Sequence, residues 1–193
     1  MHEIQCLNEE IEELAGLLSS LKAQDWKGVT AFQAWTVNDV VLHLYASDYL
    51  GIAATTSQEA FTALFGDMQR GREAGHSSAM ETRLRFPSLN GQELFELWFA
   101  QAMELSKRLA AQDPVERLPW IGPPMLVSTF AAARQMETWA HGQEIYDLRD
   151  LERAPTDRLR PILLKNSIGG QDSPSATCES HVVRASPMAF AGA

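Results

Sequence analysis

Cysteine is scarce in this chain of 193 residues: Cys6 and Cys178 lie far apart and form no CxxC pair. No disulfide framework or cysteine zinc site is indicated, and a reducing cytoplasm suits that composition. No apolar run approaches the roughly 20 residues needed to span a bilayer. The opening Met1-His2-Glu3-Ile4 lacks the basic start and apolar stretch of a signal peptide. Positive charge is also short, with 16 basic against 25 acidic residues and a net charge of -9. Residues 156–193 hold four basic and three acidic residues, so the part before them carries -10. Such a body repels a phosphate backbone, and no separate basic patch offsets it. Neither nucleic acid nor membrane is expected as a partner, and internal repeats are absent.

What is present is helical periodicity. The hydrophobic fraction of 45% is ample for one core. Ile4, Leu7, Ile11, Leu14, Leu18 and Leu21 follow three-four spacing, so a helix is expected to about Gln24, with Glu9, Glu10, Glu12 and Glu13 on its wet side. Trp26 should anchor the loop that follows. Thr36 to Asp39 reads as a capped start of a second helix running to about Ala54. Ser57 should cap a third, burying Phe61, Leu64, Phe65 and Met68. From Gln69 to Leu89 the pattern fails, and a loop or broken segment is expected, made basic by Arg70, Arg72, Arg83 and Arg85. Those arginines could hold a substrate carboxylate or simply be solvated. Asn90 opens a long helix to about Ala111 that carries Leu94, Phe95, Leu97, Trp98, Phe99, Met103, Leu105 and Leu109, and Asp113-Pro114 stops it. Leu118 to Pro124 is a stiff connector, either a pocket wall or a packing element. The last long helix covers about 128–148.

Two regions follow: a bundle over 1–155, and a segment 156–193 that is poorly ordered or a remnant lacking its partner. Pro155-Thr156-Asp157 could start a short helix through Leu164.

Chemistry concentrates in the last long helix. Glu137 and His141 are four apart and share a helix face, which also carries Phe130, Ala133 and Leu148 and should point inward. An ionised carboxylate on a buried stripe is costly unless paired. A divalent metal is one such partner, and a third ligand must come from elsewhere; His43 in the second helix is the best candidate. Imidazole and carboxylate suit zinc, iron or nickel, and three protein ligands would leave a position open. Asp39, four before His43, could accept a hydrogen bond from the imidazole's other nitrogen, or only cap its helix. The three residues could also form a buried ion pair with no metal.

The stretch Trp35-Thr36-Val37-Asn38-Asp39-Val40-Val41-Leu42-His43-Leu44 closely resembles the W-T-V-x-D-x-x-x-H-L segment of the mycothiol-dependent maleylpyruvate isomerase metal-binding domain family. Met136-Glu137-Thr138-Trp139-Ala140-His141-Gly142-Gln143-Glu144 resembles that family's second metal segment. The resemblance spans about 5–150. It implies an all-α, DinB-like up-down four-helix bundle with extra short helices. It also implies that His43, Glu137 and His141 bind zinc, and that a low-molecular-weight thiol such as mycothiol is a cosubstrate in isomerisation or S-transfer on an electrophile. The alternative is a metal-binding bundle without turnover, in a structural or interaction role.

Overall fold

The computed structural model describes residues 2–159. Four long helices form the bundle: α1 (His2–Ser19), α2 (Val37–Thr56), α5 (Gly91–Ala110) and α6 (Val127–Leu148). The pairings α1 with α5, α5 with α2, α2 with α6 and α6 with α1 close a ring around one core. Two shorter helices, α3 (Gln58–Glu73) and α4 (Ser78–Arg85), pack on the outside of α2. The only strands among the described residues, β1 (Arg117–Leu118) and β2 (Met125–Leu126), pair antiparallel across the proline-rich connector. The architecture is the all-α, DinB-like four-helix bundle with extra short helices that the sequence implies.

The apolar stripe of α1 drives its docking: all six residues, from Ile4 to Leu21, are buried. At about 1.5–3 kcal/mol for each large aliphatic side chain removed from water, this stripe alone explains why α1 closes the bundle. Trp26 is buried at the foot of the following loop. Gly51 lets α2 and α5 approach, since a Cβ there would meet Leu105 Cδ2 at 2.8 Å. Trp120, in the connector, sets its ring edge-on to Phe130 at 4.8 Å, so this segment is a packing element.

Several local expectations need correction. Helix α1 stops at Ser19, five residues before Gln24. Glu10 is not on the wet side: it is fully buried and bonded to Arg153, while Arg158 lies 3.6 Å from its other oxygen. Arg153 Nε also donates to Glu13 at 2.6 Å, so the chain beyond α6 folds back as a strap on α1. The span expected as a loop or broken segment is a broken one: it holds the end of α3 and all of α4, whose start Ser77 caps. Only Phe61 of the α3 stripe is fully buried; Leu64, Phe65 and Met68 pack partly exposed against the core. Asn90 precedes α5 but gives no side-chain cap, and Leu97 is exposed. Leu148 is exposed as well, because the inward face of α6 rotates away from it by its last turn. Asp157–Leu159 forms a single 3-10 turn; the rest of the helix expected to Leu164, and the tail, lie outside the described residues.

Candidate metal centre

Thr36 starts α2 with a reciprocal cap. Its hydroxyl accepts from the Asp39 amide at 3.2 Å, and its own amide donates to Asp39 Oδ2 at 2.9 Å. This places His43 one turn further on, facing α6. From α6, Glu137 and His141 face back. His43 Nε2 lies 3.4 Å from Glu137 Oε2, and His141 Nε2 lies 3.6 Å from the same oxygen. One donor atom from each residue falls within 4.8 Å of the others. The structure therefore brings together His43, Glu137 and His141, 94 residues apart at the longest step in sequence.

Asp39 does not join them. Its buried carboxylate is taken by Thr36 and by the Arg83 guanidinium from α4, and no hydrogen bond links it to His43. Burial alone would raise the Asp39 carboxyl, but the bonds from Arg83 and Thr36 outweigh it and hold the group low. Of the four arginines in that segment, Arg83 is therefore a structural clamp, while Arg70 and Arg85 pair with Asp67 and Glu81.

The electrostatics favour an ionised Glu137 beside a neutral His43 ring. The neighbouring His141 ring, and then His43 through its hydrogen bond, pull Glu137 well below the carboxylate range, and Arg134 adds to the pull against the cost of burial. Burial holds the His43 imidazole below its ordinary value, although Glu137 opposes that. The carboxylate is thus ionised and His43 is available as a neutral base. Two imidazoles and a carboxylate are a suitable donor set for zinc or a similar divalent ion.

Three features escaped the sequence reading. A turn, Phe32-Gln33-Ala34-Trp35, closes over the site through a bond from the Trp35 amide to the Phe32 carbonyl at 2.9 Å. Gln33 and Ala34 are both left-handed, with φ of 48° and 56°. The turn sets Trp35 nearly parallel to the His141 ring at 5.8 Å, and Phe32 edge-on to it at 5.4 Å. Beside it an open cleft of about 700 Å³ is lined by Val29, Thr30, Ala31, Phe32, Glu144, Asp147 and Leu148. Next, Glu144 lies three residues after His141, with Oε1 3.9 Å from His141 Nδ1. That spacing was visible in the sequence. Finally, Arg134 Nε donates to Asp48 at 3.0 Å in a sealed pair between α6 and α2. Burial pushes Asp48 up, opposed by Arg134 and by the Trp98 indole.

The family model described as the mycothiol maleylpyruvate isomerase N-terminal domain matches residues 7–146. Two uncharacterized proteins of Mycobacterium tuberculosis, from strains CDC 1551 / Oshkosh and ATCC 25618 / H37Rv, are each 32% identical over 156 residues. That alignment covers 81% of this chain and 60% of each relative, so the chain spans less than two thirds of their length. No solved structure matches.

Proposed function

Because the chain belongs to the mycothiol maleylpyruvate isomerase N-terminal domain family, we propose that it binds a divalent cation, zinc, at His43, Glu137 and His141. We propose further that it serves a thiol-dependent isomerase or S-transferase reaction of the mycothiol type, in a cytoplasmic setting. The observation that carries this reading is the convergence of three donor atoms within 4.8 Å. An ion held there would supply a Lewis-acid position that keeps a thiol as thiolate at neutral pH, ready to attack an electrophilic carbon.

The chain's own residues have distinct parts in this reading. Glu137, kept ionised by its two histidine neighbours, offsets part of the cation's charge. His43 offers a neutral ring nitrogen because burial disfavours its protonation. Trp35 and Phe32 cover one side of the rings, and the half-exposed Glu137 carboxylate leaves the site open to solvent.

One observation favours a second reading. The three groups already lie close to one another, at 3.4 and 3.6 Å, so an ion bound among them would tie α2 to α6 without any turnover. Metal content of protein purified without a histidine tag, followed by thiol-dependent loss of an electrophilic substrate, separates the two. The proposal expects about one ion per chain and a thiol reaction abolished in His43→Ala. A bound ion with no thiol chemistry leaves only the structural role, and no bound ion ends both metal readings.

A further inference from the structure

The ring of His141 is held in plane by stacking: Trp35 lies almost parallel to it, with 11° between the planes, and Phe32 meets it edge-on. Stacking fixes a plane but cannot distinguish the ring's two nitrogens. A half-turn about the Cβ–Cγ bond would put a ring carbon where each nitrogen stands, at little cost in aromatic contact. Something else must decide which nitrogen carries the proton and which offers a lone pair.

Two buried atoms near this ring have no hydrogen-bond partner, His141 Nδ1 and Glu144 Oε2. They belong to side chains that face each other, with Nδ1 and Glu144 Oε1 separated by 3.9 Å. An unsatisfied buried donor or acceptor costs about 1–3 kcal/mol. A movement of about 1 Å in the Glu144 side chain would bring a carboxylate oxygen to ordinary hydrogen-bond length from Nδ1 and give that buried nitrogen its partner. Glu144 is well placed to make it, since it is backed by Thr30 and the Phe32 amide of the covering loop. The other acidic candidate, Asp39, is already occupied by Thr36 and Arg83.

We propose that Glu144 is a positioning residue: its carboxylate accepts the Nδ1–H of His141, commits the ring to that tautomer, and leaves Nε2 as the free nitrogen beside Glu137. The inference rests on the metal-site reading above for its purpose, though not for its geometry. A carboxylate behind a ligating imidazole orients the ring and makes its other nitrogen a better donor.

The test uses the full chain and has two readouts. Long-range proton–nitrogen NMR of the metal-free protein reports the His141 tautomer. Competition with a chromophoric chelator reports Zn²⁺ affinity. The parent should hold the Nδ1–H form, Glu144→Ala should mix tautomers, and Zn²⁺ affinity should drop about 10–100-fold. Glu144→Gln keeps the size and one acceptor oxygen, so it should hold the tautomer and lose less than about tenfold in affinity. That variant also controls for misfolding in the alanine protein. An unchanged tautomer in Glu144→Ala, with affinity within twofold of the parent, overturns the positioning role. A parent that binds no Zn²⁺ while its tautomer still depends on Glu144 sinks the metal reading and keeps the positioning one.

Discussion

Helices α2 and α6 meet through polar side chains at two neighbouring places, and the two junctions follow opposite logic. At one, Asp48 and Arg134 set a carboxylate against a guanidinium at 3.0 Å, with both side chains no more than 4% exposed. The charges cancel and the pair is sealed. At the other, less than two turns away on each helix, His43 and His141 face Glu137. Here an anion meets two rings with no permanent positive charge, and the Glu137 side chain is 35% exposed. Arg134 lies close enough to lower the Glu137 carboxyl but is committed to Asp48. The first junction is balanced in charge as a strut, although Asp48 Oδ2 and Arg134 Nη2 have no hydrogen-bond partner within it. The second retains unspent negative charge and an approach from solvent, as a cation site requires.

The sharpest way to break this comparison is to open the strut. Arg134→Met leaves Asp48 buried and unpaired and should cost about 3–5 kcal/mol in chemical denaturation. The double variant Asp48→Leu with Arg134→Met removes both charges and should recover most of that loss. A single variant that costs under about 1 kcal/mol would mean that the pair carries no load.

The second junction should respond to metal, not to charge removal. In the parent, free Zn²⁺ at about 100 times its Kd should add about 2.7 kcal/mol of stability. His43→Ala and His141→Ala should show none of that gain, whereas the Asp48→Leu, Arg134→Met double variant should keep it. Thermal unfolding with and without chelator reads the difference. Equal stabilisation of His43→Ala would place the ion elsewhere.

How much of this contrast the sequence could carry depends on where each partner sits. The α1 stripe is legible because all six of its residues share one local period. Glu10 is not, because what satisfies it is Arg153, 143 residues away. Glu137 and His141 share a face by spacing alone, and Glu144 extends that face by three. Its relation to Nδ1 emerges only once the ring is oriented by Phe32 and Trp35, from a loop far earlier in the chain. The Asp48–Arg134 pair left no local trace: an arginine in mid-helix ordinarily reads as solvent-facing. The failed periodicity between Gln69 and Leu89 hid α4 because that helix is eight residues long and buries only Ala79 and Thr82.

A third polar junction sharpens the comparison at lower cost. Arg83 reaches Asp39 from α4, but its own side chain is 56% exposed, so solvent screens the pair. Arg83→Met should cost about 1 kcal/mol or less at neutral pH. Asp39 is held below its ordinary pKa in the fold. Its contribution is therefore complete above about pH 4, where the unfolded chain's aspartate is ionised, and fades as pH falls below that value. The stability gap between parent and Arg83→Met should shrink over the same range. A gap that stays constant down to pH 2 would show that Asp39 acts as a cap alone.

The smallest effect belongs to the turn that covers the open junction and has no counterpart over the strut. Residues 32–35 form a tight turn of the kind that needs left-handed backbone at both central positions, where Asn-Gly is favoured and Gln33-Ala34 is strained. Relief of that strain in Gln33→Asn with Ala34→Gly competes with the extra freedom glycine gives the unfolded chain. A net gain of about 0.5–1 kcal/mol is expected. If the turn serves only to hold Trp35 and Phe32 against the rings, the relaxed variant should bind Zn²⁺ as the parent does. A stabilised protein with weaker Zn²⁺ binding would show that the strain itself presses the aromatic cover onto His141, which the sealed pair below never needs.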